Sequence, residues 1–306
     1  MSKVIVTGGA GFIGSNLVNR LVKDGHNVTV IDDESSDAHE SFYYNDKAEY
    51  WDYDIADYKR IEPLFKDVDY VFHLAAEARI QPAIEDPMKA VQTNVLGTCS
   101  ILQAARTHGV KRVVYSSTSS AYGLANPIPN KEDMPKDCLN PYSVSKTSGE
   151  ELCQMYSKLF GLETVIFRYF NVYGENQPTK GQYAPVIGLF QRQHSNGEAM
   201  TVVGDGMQRR DFTHVSDVVE ANVLAAMYAD EKAVGEIFNV GSGTNHNIHD
   251  IVRLVGGEDA EFVYIPERPG ESRETLSDCS KAQGILNWEP KVKLEDWITS
   301  CKELAS

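Results

Sequence analysis

The sequence predicts an α/β fold in which a parallel sheet is wound by helices on both faces, with a smaller, irregular C-terminal lobe. Short β-branched runs alternate with longer amphipathic runs through the first half of the 306 residues. This alternation is typical of a doubly wound parallel sheet. A glycine-rich loop directly follows the first β-branched run and opens the first amphipathic run, as it does in sheets that bind a ligand at a helix N-terminus.

Five strands and four helices are predicted in order along the first half. The strands are the Val-, Ile- and aromatic-rich runs 3–7, 27–31, 68–74, 111–117 and 163–170. The helices are the amphipathic runs 12–24, 57–66, 84–108 and 142–160. Together they predict one domain over 1–170.

Beyond about residue 171, Pro- and Gly-containing stretches such as "PTKGQYAP" and "RPGESRE" predict loops, so 171–306 is expected to form mainly the smaller lobe. Two runs there, "THVSDVVEANVLAAMY" and "EIFNVGSG", are again typical of a helix and a strand. We expect this segment, 213–241, to return to the main sheet.

Composition excludes several classes of function. A net charge of −15 argues against a general affinity for nucleic acid, which needs a basic face. The N-terminus lacks a signal pattern and no apolar run reaches the length of a membrane span, so we expect no membrane association. Five cysteines without a C-x-x-C motif indicate a reducing compartment, hence the cytoplasm. His246 and His249 have a metal-like spacing but no third ligand nearby, so no metal is predicted.

The loop "TGGAGFIG" is the first candidate binding element. Gly8, Gly11 and Gly14 would serve a tight turn, close approach of the backbone to a pyrophosphate, and close packing of helix on strand. Gly9 and Gly14 also fit the glycine spacing of a P-loop, but Ser15 stands where that loop needs lysine. The loop therefore favours a dinucleotide over a nucleoside triphosphate.

Asp32, at the end of the second predicted strand, indicates which dinucleotide binds. A carboxylate at this place accepts hydrogen bonds from the adenosine ribose hydroxyls. The following residues contain no Lys or Arg until Lys47, so a 2′-phosphate would meet acid and no counter-charge. The predicted cofactor is NAD and not NADP.

The stretch "NPYSVSK" places Tyr142 four residues before Lys146, with Pro141 at the expected first position of a helix. On a helix these two side chains share a face. Alone, this spacing is common on amphipathic helices and carries little weight.

Nine motifs in order make the sequence resemble the extended short-chain dehydrogenase/reductase family, and most closely its UDP-sugar 4-epimerases. They are "TGGAGFIG", "DYDIAD", "HLAAEA", "TNVLGT", "YSSTSSAYG", "PYSVSK", "RYFNVYG", "GDGMQRRDFTHVSD" and "RPGE". The resemblance implies a Rossmann-like fold, NAD, a UDP-sugar substrate and a homodimer. The implied reaction inverts C4 of a UDP-hexose or UDP-N-acetylhexosamine through a 4-keto intermediate.

The resemblance also implies roles for individual residues. Tyr142 would be the base, Lys146 would bind the nicotinamide ribose and lower the phenol pKa, and Thr118 would hydrogen-bond the sugar O4. Besides Gly8, Gly11, Gly14 and Asp32, the implied cofactor contacts are Phe12, Ile13, Asp54, Ile55, Leu74, Ala75, Ala76, Asn94, Ser116 and Tyr169. Asn94 could instead be a polar anchor between a strand and a helix.

Four further residues are implied for the substrate. Asn171 would contact the nucleotide sugar, and Arg210 and Arg268 would bind the diphosphate, where bidentate geometry favours arginine. Thr275, seven residues after Arg268, occupies the position that faces the sugar C2 substituent. Its small side chain implies that acetamido sugars are accepted.

Other functions remain open at this point. A UDP-glucuronate 4-epimerase ranks second, although that subfamily often has threonine where this chain has Asn171. Sugar-nucleotide 4,6-dehydratases and UDP-glucuronate decarboxylases usually carry an acid directly after the active-site threonine, and here Ser119 and Ser120 follow Thr118. A non-catalytic NAD-sensing protein would commonly have lost Tyr142 or Lys146.

The homodimer is expected because the family pairs the helices predicted at 84–108 and 142–160 across a four-helix interface. Both patterns carry apolar residues beyond a single stripe: Val91, Val95, Leu96, Ile101 and Leu102 in the first, and Leu152, Met155 and Leu159 in the second. The alternative is that these residues simply pack on the sheet.

Overall fold

A computed structural model of the protein describes residues 1–39, 41–179 and 184–305. Its largest sheet has seven parallel strands in the order β10–β6–β5–β4–β1–β2–β3. These strands are β1 (Lys3–Thr7), β2 (Asn27–Ile31), β3 (Glu49–Trp51), β4 (Tyr70–His73), β5 (Arg112–Thr118), β6 (Glu163–Tyr169) and β10 (Ile237–Val240). The predicted doubly wound parallel sheet is confirmed.

Helices cover both faces of this sheet because alternate strand residues point to opposite sides. They are α1 (Phe12–Lys23), α2 (Tyr58–Ile61), α3 (Ile80–Glu85), α4 (Pro87–Val91), α5 (Thr98–Thr107), α6 (Pro141–Phe160) and α8 (Val215–Met227). Val4 and Val6 pack in a core shared with α1 and α8, whereas Ile5 between them packs in a core shared with α5 and α6. Strands buried on both faces explain the near-continuous apolar runs in the sequence.

Two parts of the first half differ from the sequence prediction. The helix predicted at 84–108 is interrupted at Asp86, because the residue before a proline is disfavoured in helical geometry and Pro87 starts a new helix. A π-helical stretch, Gln92–Gly97, then joins α4 to α5. The edge strand β3 was not predicted, because three residues are too short to show a period-2 pattern.

The C-terminal lobe is more regular than predicted. It contains a three-stranded sheet in the order β11–β9–β7 and a parallel pair, β12–β8. The lobe strands are β7 (Asn171–Tyr173), β8 (Met200–Val203), β9 (Arg209–His214), β11 (Asn245–Asn247) and β12 (Phe262–Ile265). The helices α7 (Val186–Ser195), α9 (Ile248–Gly256) and α11 (Leu294–Ala305) surround a separate core that includes Phe190, Phe212 and Ile251, while α10 (Ser280–Leu286) packs against the main sheet.

The chain reverses its direction across the sheet between β1 and β4, because β2 lies on one side of β1 and β4 lies on the other. In such sheets a crevice opens at this point, beyond the carboxyl ends of the strands. Gly8 follows β1 and Leu74 follows β4, so the two loops that line this crevice are the ones singled out from the sequence.

Candidate active site

A cavity of about 820 Å³ opens beyond the carboxyl ends of the strands, between the main sheet and the C-terminal lobe. The sequence-predicted residues that line it are Gly8, Gly11, Phe12, Ile13, Gly14, Asp32, Ile55, Leu74, Ala75, Ala76, Ser116, Thr118, Tyr142, Lys146, Tyr169, Asn171, Arg210, Arg268 and Thr275. Residues from both halves of the chain therefore meet at one site.

The glycine loop provides a close approach that a side chain would block. Gly8 has a φ of +70°, and a Cβ at this position would lie 2.7 Å from Ala75 N. A Cβ at Gly14 would lie 2.0 Å from Gly8 O, so the helix packs directly on the loop. Gly11 stands at the N-cap of α1 without a side-chain cap, which leaves this helix end facing the cavity as an anion site.

Asp32 is held at the edge of the cavity by two backbone groups. Its Oδ2 accepts a hydrogen bond from Ala10 N at 2.9 Å and its Oδ1 accepts one from Glu34 N at 3.0 Å. Burial is the largest influence on this carboxyl and raises its pKa. Carboxylate oxygens accept more than one hydrogen bond, so ribose hydroxyls can still be received. Arg79 also lines this region, but it is ion-paired with Asp37.

Thr118, Tyr142 and Lys146 come together through the end of β5 and the first turns of α6. Thr118 ends β5, and its Oγ1 accepts a hydrogen bond from Ser120 N at 3.1 Å. Its own proton is therefore available for the hydrogen bond between Thr118 and Tyr142, which lowers the Tyr142 pKa. Helix α6 starts at Pro141 behind a capping box formed by Asn140 and Ser143.

The protein groups around Tyr142 do not make it acidic on their own. Burial is the largest influence and raises its pKa, and the negative charge of Glu77 raises it as well. Lys146 is itself buried, which lowers its pKa to about 7. An amine that gives up its proton near neutral pH is a weak source of positive charge, and Lys146 is not among the groups that shift the Tyr142 pKa, so its expected effect on the phenol stays a prediction.

The lobe contributes polar groups that are held by hydrogen bonds to other residues of the lobe. Arg210 donates to the carbonyls of Arg209 and Arg273 and faces Glu271 at 3.5 Å, while burial lowers its pKa. Asn171 Nδ2 donates to Asp211 O at 3.0 Å and to Thr275 Oγ1 at 3.4 Å.

A second cavity of about 160 Å³ adjoins the first, and no motif in the sequence predicts it. Arg210 and Arg268 line both cavities. The rest of its wall is mainly apolar and includes Val172, Pro185, Ile187, Val203, Phe212 and Ile248. These residues come from separate segments of the lobe, so the second cavity can be recognised only in the folded structure.

Two predicted cofactor residues are not brought to the cavity. Asp54 is exposed, and its side chain accepts a hydrogen bond from Ala56 N at 2.8 Å, while Ile55 beside it lines the cavity. Asn94 is buried and hydrogen-bonds both the N–H and the C=O of Glu77 as well as Ser145 Oγ. This matches the alternative role of Asn94 as a polar anchor.

The two histidines with metal-like spacing contact other groups. His246 Nε2 lies 3.6 Å from Glu295 Oε1, and His249 Nε2 lies 3.0 Å from Asp205 O. Over 1–39, 41–179 and 184–305 no cluster of three His, Cys, Asp or Glu side chains could hold a metal. None of the helices in these ranges is both long and apolar enough to span a bilayer.

Comparison with known proteins adds to this geometry. The model of the NAD dependent epimerase/dehydratase family matches residues 4–241. The chain is 37% identical over 300 residues to a putative UDP-glucose 4-epimerase of Methanocaldococcus jannaschii, covering 96% of this chain and 95% of the relative. It is also 37% identical over 320 residues to a UDP-N-acetyl-alpha-D-glucosaminuronate decarboxylase of Bacillus cytotoxicus, covering 97% and 95%.

Two solved structures extend the similarity to three dimensions. The UDP-glucose 4-epimerase of Thermotoga maritima with UDP-glucose superposes with a TM-score of 0.92 at 34% identity, covering 99% of this chain and all (100%) of that one. The UDP-glucose 4-epimerase of Thermus thermophilus in complex with NAD gives a TM-score of 0.87 at 30% identity, covering 97% and 96%.

Proposed function

The chain belongs to the NAD-dependent epimerase/dehydratase family, and from this premise we propose that it inverts C4 of a UDP-hexose or UDP-N-acetylhexosamine. Its cofactor is NAD. The observation that carries the proposal is the meeting of Thr118, Tyr142 and Lys146 at the cavity, with serines and not carboxylates following Thr118.

Tyr142 is the proposed acid and base. As the phenolate it takes the proton from the sugar O4, and as the phenol it returns that proton to O4 after the sugar has turned and hydride has returned to the opposite face of C4. NAD, when bound, accepts and returns the hydride at C4, and its positive ring adds the charge that the protein groups around Tyr142 lack. Thr118 hydrogen-bonds O4 and orients it, and Lys146 binds the ribose hydroxyls.

The cofactor fits the residues that are present. The N-terminus of α1 accepts the pyrophosphate, and Gly11 at that N-terminus, which carries no side chain, leaves room for its close approach. Asp32 receives the adenosine ribose, and the acidic stretch after it disfavours a 2′-phosphate.

The lobe is proposed to bind the UDP moiety. Arg210 and Arg268 stand where the two cavities join, so a diphosphate between them would leave the sugar toward Tyr142 and the base in the second, apolar cavity. A UDP moiety fixed in this way supplies binding energy remote from the reacting C4 carbon and holds that carbon near Tyr142.

Thr275 supports acceptance of acetamido sugars. It is only 8% exposed and lines the cavity, and its Oγ1 accepts a hydrogen bond from Asp211 N at 3.2 Å. A short side chain held in this way leaves part of the cavity open, and an acetamido group on the sugar could occupy that space.

A uronate-processing enzyme is the second candidate, because one relative with equal identity is a decarboxylase. The structure favours a neutral sugar in this comparison. Glu77 lines the cavity and its charge acts on Tyr142, so a second carboxylate on the sugar would meet repulsion there. Ser119 and Ser120 line the cavity where the dehydratases and decarboxylases carry an acid.

We also propose a homodimer through α4, the π-helical stretch and α6. Leu96 is 53% exposed and Leu159 is 68% exposed, and Val91 and Met155 are exposed on the same helices. Ile101 and Leu102, which were expected to belong to this surface, instead lie fully buried in the core. The remaining apolar residues form a surface that a second copy would cover.

A panel of UDP-sugars tests the function. Purified protein is incubated with UDP-glucose, UDP-N-acetylglucosamine and UDP-glucuronate, and the products are separated by chromatography, with Tyr142→Phe as the control for contaminating activity. We expect the first two to reach equilibrium with their C4 epimers without added NAD being consumed. Preferred turnover of UDP-glucuronate, or loss of its carboxyl group, would overturn the proposal.

A further inference from the structure

Residues 268–272, here called the closing segment, form part of the cavity wall on the side of the C-terminal lobe. Arg268 and Glu271 line both cavities, and Glu271 is the ion-pair partner of Arg210. The position of this segment therefore sets where a bound diphosphate lies relative to Tyr142.

Side-chain hydrogen bonds between described residues attach the closing segment to the sheet domain. Gln81 Nε2 donates to Pro269 O at 3.0 Å, Asn140 Nδ2 donates to Gly270 O at 2.8 Å, and Ser272 Oγ donates to Gly123 O at 3.2 Å. The Gln81 bond is exposed, whereas the Asn140 and Ser272 bonds are partly buried. Asn140 makes the shortest of these bonds and is itself only 6% exposed, so water competes little with it and it is the main attachment.

Asn140 differs from the other two because the same side chain also caps the catalytic helix. Its Oδ1 accepts a hydrogen bond from Ser143 N at 2.8 Å and thereby forms the N-cap of α6. Tyr142 is two residues away, in the first turn of that helix. One rigid amide thus joins the backbone that carries Tyr142 to the backbone that carries Arg268.

We propose that Asn140 is a positioning residue that holds the closing segment against the start of α6, so that the sugar nucleotide is retained between the two halves of the reaction. The inference rests on the proposed epimerase function. In the first half, the C4 hydride passes to NAD+ and the O4 proton passes to Tyr142, which leaves a neutral 4-keto sugar on UDP. That ketone has to turn over without leaving the cavity, and the closing segment is part of what holds its diphosphate.

Loosening the segment should therefore let the ketone escape before hydride returns. Each escape leaves one reduced nicotinamide on the protein and one 4-keto sugar nucleotide in solution, so electrons and protons balance. Loss of one neutral hydrogen bond should raise the escape rate and weaken UDP binding by about 2- to 12-fold.

Asn140→Ser separates the two roles of the side chain. Serine still accepts the hydrogen bond of an N-cap, but it is too short to reach Gly270 O. Gly270→Ala approaches the same contact from the other side, because Gly270 has a φ of +78° and a Cβ there would lie 3.3 Å from Asn140 Cβ. Asn247→Ser is the matched control, since Asn247 forms the same kind of capping box at the start of α9 in the C-terminal lobe.

The protein with its NAD is mixed with UDP-glucose, and the absorbance of reduced nicotinamide is followed with time. UDP affinity is measured separately by calorimetry. We expect Asn140→Ser and Gly270→Ala to accumulate reduced nicotinamide faster than wild type and to bind UDP more weakly, while Asn247→Ser behaves as wild type in both. Equal accumulation and equal UDP affinity in Asn140→Ser and wild type, or equal changes in Asn247→Ser, would overturn the inference. Failure of the epimerase function would show in the wild type itself, and the comparison of UDP affinities would still decide the role of Asn140.

Discussion

Replacing Thr275 with tyrosine tests the proposed substrate range at one residue. The backbone N of Thr275 is held by Arg209 O at 3.1 Å, and its Oγ1 accepts hydrogen bonds from Asp211 N and Asn171 Nδ2. The backbone at this position is therefore fixed. A tyrosine ring cannot fit within these contacts and has to extend into the cavity that Thr275 lines.

The size of the effect follows from the cost of overpacking, which is about 1–3 kcal/mol in a well-packed site. If the ring occupies the space of the acetamido group, kcat/KM for UDP-N-acetylglucosamine and UDP-N-acetylgalactosamine should fall by about 5- to 150-fold, because about 1.4 kcal/mol is a factor of ten. UDP-glucose and UDP-galactose carry only a hydroxyl at C2 and should be affected much less. Chromatographic separation of products from the four substrates gives all four values.

Thr275→Val is the matched control for this experiment. It keeps the size of the side chain but removes the acceptor of the Asp211 N–H, which costs about 1–3 kcal/mol when the donor stays buried. We expect it to lower stability and to affect both substrate pairs alike. The reasoning is refuted if Thr275→Tyr also slows both pairs alike, or if the wild type does not act on the acetamido sugars.

Three further predictions follow from the site and the surface. Tyr142→Phe should lower kcat by about 10²- to 10⁴-fold while UDP affinity by calorimetry stays unchanged, and retained activity would place the base elsewhere. The unfolded chain keeps the Lys146 proton up to an ordinary pKa of 10.5 whereas the folded protein releases it near 7, so stability should rise with pH across that window. Denaturant titrations without added ligand should show this rise in wild type and a smaller one in Lys146→Met; identical slopes would contradict it. Leu159→Glu should halve the mass measured by light scattering, whereas Tyr228→Glu, at a 73% exposed residue away from α6, should not; a monomeric wild type would contradict the dimer.

The elements that the sequence predicted well are those whose signals are local. Helix α6 begins at a capping box around Asn140 followed by Pro141, and it ends at Gly161 in the left-handed region with a φ of +70°. Each of these signals lies within a few residues of the boundary that it sets. The central strands were equally clear, because burial on both faces requires continuous apolar runs.

The lobe was harder to predict because its structure depends on distant partners. Strand β9, "RRDFTH", is largely polar, and it pairs with β7 and β11, which are each only three residues long. The second cavity and the bond from Asn140 to Gly270 join segments that are far apart in the chain. A single sequence does not show which distant segments are in contact. The motifs could therefore point to Arg210 and Arg268 but not to the surface that positions them.

The electrostatic balance at Tyr142 shows a second limit of motif reasoning. The Tyr-x-x-x-Lys spacing correctly places two side chains on one helix face, but the pKa of each depends on how much water the fold removes. Burial raises the Tyr142 pKa above its ordinary value and lowers that of Lys146 to about 7, so both side chains favour their uncharged forms and their proton affinities, nearly equal in water, move apart. The remaining positive charge then has to come with the cofactor, which would couple ionisation of Tyr142 to NAD binding and keep the base inactive until the hydride acceptor is in place.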